Sequence, residues 1–294
     1  MFMTLLKILS IIVAFLLFTS LWGFYISVRP PKIVSTITPK ELGFVYEEVT
    51  FTTRDGLTLS GWFVPSSAKV SASKPIKTII LLHGYPADKG NILPALSFLS
   101  EKYNLFLFDF RYFGRSGGTY STAGAKEVED LNAAVQFLKS RGVQEVGVWG
   151  FSMGGAVALM AAPQRPEIKA VASEASYASL NLMALELYRI PILKYPLAYL
   201  TSFWAKIFLG IDLKKVSPAE SAKILTIPVL VIHSKNDEVI PFKNALFVQE
   251  SLKNNPKAEF WFSAKGGSAS GGEVHGQFGE AYQKKIGEFF LNNL

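Results

Sequence analysis

The sequence predicts an α/β protein: a mostly parallel β-sheet with helices on both faces, carrying a small helical insertion and preceded by a membrane-spanning helix. Three observations lead there. An uncharged apolar run opens the chain, short apolar segments then alternate with longer helical ones, and a Gly-x-Ser-x-Gly pentapeptide joins one such segment to the helix after it. With 294 residues the chain holds one substantial core once its apolar start is set aside, so a single large domain is expected over residues 42–294.

Between Lys7 and Arg29 about 21 residues carry no charge, enough at 1.5 Å per residue to cross a hydrocarbon layer of about 30 Å. Residues 1–28 therefore read as an uncleaved, single-pass membrane anchor. A cleaved secretory signal has a shorter apolar region, and no A-x-A pattern follows this one. Lys7 flanks the run on one side and Arg29, Lys32 and Lys40 on the other, so charge alone does not orient it. The short flank ahead of the run is that of a signal anchor, which gives an extracytoplasmic catalytic domain as the expectation. Residues 29–41, with Pro30, Pro31 and Pro39 among Ser and Thr, read as an extended linker leaving the membrane.

The net charge of +7 comes from lysines scattered along the chain, with no basic run and no nucleic-acid motif, so nucleic acid is not an expected partner. The charge is either a solvated surface or an attraction to anionic headgroups. Zero cysteines exclude disulfides, thiol catalysis and Cys-ligated zinc, and three widely separated histidines make no metal site. No metal or cofactor is expected.

Residues 48–53 and 58–64 are β-rich and flank Arg54-Asp55-Gly56, which predicts an antiparallel hairpin. Strand-like runs follow at 78–82, 105–108, 145–149, 170–173, 229–232 and 259–262, with helices expected at 92–101, 126–140, 154–162, 243–253 and 282–291. Near-continuous apolar strands between helices argue a parallel sheet covered on both faces, and such sheets hold ligands at the carboxyl ends of their strands. The stretch 177–216 breaks the alternation. Rich in aromatics, among them Tyr188, Tyr195, Tyr199, Phe203, Trp204 and Phe208, and broken by Pro191 and Pro196, it reads as a helical insertion. It is either a cap that roofs the site or an extra packed helical pair. A Gly/Ser-rich patch at 265–272 reads as a loop.

Gly150-Phe151-Ser152-Met153-Gly154 lies directly after the strand at 145–149 and before the helix at 154–162. A strand-to-helix turn this tight forces Ser152 into a strained backbone, small neighbours remove the clashes, and the hydroxyl is left exposed at the helix N-terminus. Ser152 is therefore the candidate nucleophile. Its base must be one of His83, His233 and His275. His83 ends a strand before Gly84-Tyr85 and is expected to brace an oxyanion loop; His233 opens the loop that carries Asp237 and reads as structural; His275, in a loop after the last strand, is free to reach Ser152. Asp237, after the penultimate strand, completes the chain order Ser, Asp, His, with Glu174 at the end of the strand at 170–173 as its rival. Asp109, ahead of Arg111 and Gly114, reads as the holder of that turn. Two backbone N–H groups should receive the oxyanion: that of Met153, after the nucleophile, and that of Tyr85.

The segments HGYPADKGN, DFRYFGRSGG, GFSMGG and HSKNDEVIP and the late His275 together resemble the α/β-hydrolase superfamily from about Glu48 to the C-terminus. The N-terminal anchor, the Arg-Asp-Gly hairpin and the helical insertion are similar to membrane-anchored, α/β-hydrolase-domain-containing esterases and lipases. That resemblance implies the α/β-hydrolase fold and hydrolysis of an ester or thioester through an acyl-enzyme, without a cofactor, on a small-molecule or lipid ester. Two departures are visible. The usual His-Gly before the acid loop is His233-Ser234, and the loop at 265–276 is long and Gly-rich, so the triad is expected to assemble with substrate bound. Acyl transfer or peptide cleavage by the same triad, or a scaffold without catalysis, are the alternative readings.

Overall fold

The structure, a computed structural model, describes residues 2–67, 76–188, 190–264 and 274–294, the last without the side chains of 274–278. Among the described residues eight strands form one sheet: β1 (Glu47–Thr52), β2 (Thr58–Val64), β3 (Thr78–Leu82), β4 (Asn104–Phe108), β5 (Val146–Phe151), β6 (Ile168–Glu174), β7 (Val229–Ser234) and β8 (Ala258–Ser263). Their spatial order is β1-β2-β4-β3-β5-β6-β7-β8. The expected hairpin is present, with Thr52 opposite Thr58 around the Arg54-Asp55-Gly56 turn. β2 also runs antiparallel to β4, and from β4 to β8 every pairing is parallel.

The apolar runs read as two-sided strands because both sheet faces are covered. In β3, Ile80 and Leu82 join one core with Phe106, Phe108 and Val148, while Ile79 and Leu81 join the other with Leu105, Leu107 and Trp149. The first face is closed by helices α3 (Glu127–Ser140), α4 (Met153–Ala161), α7 (Pro218–Ala222) and α8 (Lys243–Ser251); the second by α2 (Lys89–Leu96) and α9 (Val274–Asn293). Successive residues of a strand face opposite ways, so one pentapeptide feeds both cores.

The helix expected at 92–101 begins earlier and ends differently. Asp88 caps it by accepting from the Gly90 N–H, with Asn91 returning a bond to the Asp88 N–H, and the chain tightens into a 3-10 turn at Ser97–Glu101. The stretch 177–216 holds helices α5 (Leu180–Leu187) and α6 (Lys194–Leu209). Helix α1 (Phe2–Val28) is mostly exposed, yet Ser20, Gly23 and Phe24 are buried. Residues 29–41 form neither helix nor strand. Pro30 O accepts from the Tyr112 hydroxyl at 2.5 Å and the Ser35 N–H donates to Asp88 at 2.6 Å, so this segment is strapped to the domain.

Candidate active site

At the end of β5 the chain turns into α4 within a single residue. Ser152 takes φ 51° and ψ −113°, outside the regions open to most side chains, and its N–H donates to Glu174 O at 2.8 Å. Such a conformation costs about 1–3 kcal/mol and persists only where the surroundings hold it. The glycines explain how. A Cβ on Gly150 would lie 2.4 Å from the Gly154 carbonyl carbon, so only glycine lets the strand end and the helix start come this close. The Ser152 hydroxyl makes no hydrogen bond among the described residues.

The His83-Gly84-Tyr85 loop lies against this turn. A Cβ on Gly84 would sit 3.3 Å from Ser152 Cβ and 2.9 Å from the Phe151 ring, contact that brings the loop's backbone beside the serine. His83 braces it from a fully buried position. The Phe110 N–H donates to His83 Nε2 at 3.0 Å, so Nδ1 carries the proton and donates to Gly84 O at 2.7 Å. Burial lowers the imidazole's pKa and keeps it neutral, the state this pair of bonds requires. Among the described residues neither the Tyr85 N–H nor the Met153 N–H is spent on another group. The Tyr85 side chain turns away: its hydroxyl donates to Ser27 O at 2.9 Å, and burial raises its pKa to about 12.

Asp237 is buried in the turn after β7, and Oδ1 accepts from the Val239 and Ile240 N–H groups at 2.9 and 2.7 Å. These bonds fix the plane of the carboxylate. Its Oδ2 lies 3.7 Å from His233 Nε2, which donates to Ile240 O at 2.8 Å. Burial lowers the His233 pKa as well, so the contact joins a carboxylate to a neutral ring and is no ion pair. Neighbouring Glu238 is exposed. Glu174, at the end of β6, accepts from the Tyr282 hydroxyl at 2.6 Å and so ties α9 to the sheet beside the serine turn.

The expected loop position of His275 is corrected by the backbone: α9 starts at Val274, and residue 275 falls in its first turn. Its side chain lies outside the described residues, as does the Gly/Ser-rich segment 265–273. Helix α9 also breaks at Gly279 (φ 40°), which separates its first turns from the part that carries Tyr282, Ile286 and Phe290 into the core.

Residues 77–210 match the α/β-hydrolase fold family. The protein YfhR of Escherichia coli strain K12 is 32% identical over 254 residues, which cover 84% of this chain and 81% of that one. The chain belongs to the α/β-hydrolase family. YqkD of Bacillus subtilis is 31% identical over 226 residues, covering 73% of this chain and 71% of its own. Among solved structures, the esterase Pf2001 of Pyrococcus furiosus is 27% identical and superposes with a TM-score of 0.73 over 90% of this chain and 99% of that one.

Of the residues that buttress the neighbouring strand end in this α/β-hydrolase, Asp109 is legible in the sequence, whereas the partners of Arg111 and the role of Glu127 are not. Arg111 is buried between Asp130, at 2.6 and 2.9 Å, and Asp55 of the hairpin turn, at 2.8 and 3.3 Å. Asp109 accepts from the Lys89 N–H at 2.9 Å and the Arg115 N–H at 2.8 Å, and its carboxylate also meets Lys89 Nζ, in keeping with the turn-holding role expected for it. Buried Glu127 gathers Ser121, Thr122 and Gly124. Acidic residues in the first turn of α3 and the glycines that precede it give a local hint, and a hint of that kind names no partner.

Proposed function

We propose that this hydrolase is a membrane-anchored serine esterase, with Ser152 as nucleophile, His275 as base and Asp237 as the acid that orients it. The observation that carries this reading is the strained Ser152 at the N-terminus of α4, its hydroxyl unspent and the Gly84 backbone in contact with it. In this reading Ser152 Oγ attacks the ester carbonyl while its proton passes to His275. The developing oxyanion is received by the N–H groups of Tyr85 and Met153, and the protonated imidazole returns the proton to the leaving alkoxide. Water then repeats the sequence on the acyl-enzyme. Likeness to the Pyrococcus furiosus esterase supports ester hydrolysis as the chemistry.

Helix α1 supports the anchor. Its 27 residues reach about 40 Å at 1.5 Å each, more than a hydrocarbon core needs. A cleaved signal would strip from the domain the partners of Tyr188, Trp204 and Tyr85, which all bond to residues 20–27.

The test is Ser152→Ala in the full chain, with hydrolysis of p-nitrophenyl esters and labelling by a fluorophosphonate probe as readouts. Both should vanish, a loss of several orders of magnitude, with thermal unfolding unchanged. Undiminished labelling in the folded variant would remove Ser152 from the reaction.

A further inference from the structure

Helix α6 buries one face and leaves another bare. Leu197, Ala198, Thr201 and Ala205 point inward, while Tyr195, Tyr199, Phe203 and Ile207, spaced four residues apart, form a stripe that is 60%, 74%, 45% and 60% exposed. The turn before the helix adds exposed Ile190, Ile192 and Leu193, and Lys194 and Lys206 stand beside the stripe. Soluble surfaces rarely gather so much apolar side chain in one place.

Between this stripe and the inner face, α6 packs on the last turns of α1. Trp204 Nε1 donates to Ser20 Oγ at 3.0 Å, Phe208 stacks on Phe24 with ring centres 6.0 Å apart, and the Tyr188 hydroxyl, paired with Thr201 at 2.7 Å, lies 3.4 Å from Ser20 O. Gly23 permits that approach, since a Cβ there would fall 2.5 Å from the Tyr188 hydroxyl. An open groove of about 720 Å³ runs alongside, lined by Phe18, Leu21, Trp22, Tyr25 and Phe208.

Depth follows from length. The uncharged run ending at Val28 has about 21 residues, or about 32 Å of helix, for a hydrocarbon layer of about 30 Å, so almost all of it is used in crossing. Ser20, Gly23 and Phe24 then lie about 6–12 Å inside the boundary, and whatever packs on them lies there too. An interfacial helix sinks its apolar face by about 5–10 Å.

We propose that α6 and the turn before it are embedded in the bilayer surface, with the Tyr195–Ile207 stripe against lipid chains, Lys194 and Lys206 reaching headgroups, and lipid filling the groove beside α1. The cap and the anchor then form one membrane-inserted unit. Because the Tyr85 loop is tied to Ser27 of that unit, the mouth of the site opens at the lipid surface, and the substrate class is an ester resident in the bilayer. This inference rests on the anchored-esterase reading.

The absence of cysteine makes the test direct. Single variants Tyr199→Cys and Phe203→Cys of the full chain, with Val13→Cys in α1 and Lys253→Cys in the exposed turn after α8 as references, are labelled with a nitrobenzoxadiazole dye in nanodiscs of phosphatidylcholine and phosphatidylglycerol. Quenching is read with acyl-chain doxyl lipids and with aqueous iodide. The expected result is that positions 199 and 203 are quenched by doxyl lipid several-fold more than position 253 and shielded from iodide, as position 13 is. Iodide access equal to that at 253, with position 13 still lipid-quenched, would overturn the cap's insertion while leaving the anchor intact. Protection from both quenchers would mean that a second copy covers the stripe, and no lipid quenching at position 13 would remove the anchor itself; each overturns the inference. Loss of esterase activity by a different route leaves these readouts unaffected, so the catalytic reading fails or stands separately.

Discussion

The carboxyl ends of β4 and β5 lie on either side of β3 and use the same backbone device with opposite outcomes. Both turns hold residues at positive φ, Tyr112 at 73° and Gly114 at 49° after β4, Ser152 at 51° after β5. After β4 each buried charge is answered by another: Asp109 by Lys89 and two N–H groups, Arg111 by Asp130 and Asp55. After β5 the polar atom at the apex has no partner among the described residues, and the N–H groups of Tyr85 in the facing loop and of Met153 are also unspent there. Strain of about 1–3 kcal/mol is tolerated at both ends. What separates a structural turn from a candidate catalytic one is whether its polar groups are consumed.

The largest effect expected from breaking this contrast lies on the catalytic side. Asp237→Asn should lower kcat about 10⁴-fold in a folded enzyme, because an amide favours the wrong imidazole tautomer. Glu174→Gln should cost far less, since Glu174 is held by Tyr282. Steady-state kinetics on one ester, with unfolding curves matched, ranks the two; the reverse order would give the acid's role to Glu174.

On the structural side the loss should be in stability. Asp130→Asn leaves the buried Arg111 with only the half-exposed Asp55, and removing one partner of a buried pair costs about 3–5 kcal/mol. Urea unfolding should show that loss with kcat nearly intact in the folded fraction. A larger fall in kcat than in stability would mean that the two strand ends are coupled.

A smaller effect probes the contact between the loop and the serine. The added methyl of Gly84→Ala must displace the Phe151 ring, an overpacking cost of about 1–3 kcal/mol, and should push the Tyr85 N–H away from the oxyanion. The expected signature is a fall in kcat with little change in KM, and an altered KM alone would place the loop in substrate binding.

The smallest effect is a pH dependence of stability. His83 and His233 are held below their ordinary pKa by burial, so below about pH 6.5 the unfolded chain binds protons that the native rings refuse. Stability is therefore full above that pH and declines as pH falls from there towards the native pKa values, by up to about 1.4 kcal/mol per pH unit for each ring. Urea midpoints at pH 7.5 and 5.5 should differ accordingly, and equal midpoints would mean that the rings accept protons in place.

Local chemistry determined a large part of this protein. The turn at Ser152 follows from Gly150, Gly154 and the strand and helix that flank them, all within a dozen residues, and the strands follow from apolar runs whose alternate members fill two cores. Helix ends were less legible. Asp88 starts α2 ahead of its apolar pattern, and α9 starts at Val274, because caps and tertiary supports are not periodic. The hydrogen-bonded straps at Pro30 and Ser35, the Arg111 pairs with Asp55 and Asp130, and the bond from Tyr282 to Glu174 join residues 19 to 108 positions apart. No window of sequence contains both partners, and an arginine or a tyrosine alone does not specify which acid it will meet. The seating of α1 on α6 is of the same kind. Apolar length makes α1 a candidate span by itself, but only the folded chain selects Ser20, Gly23 and Phe24 as the face that meets Trp204, Tyr188 and Phe208, since a helix apolar all round carries no preferred side until a partner presses against it.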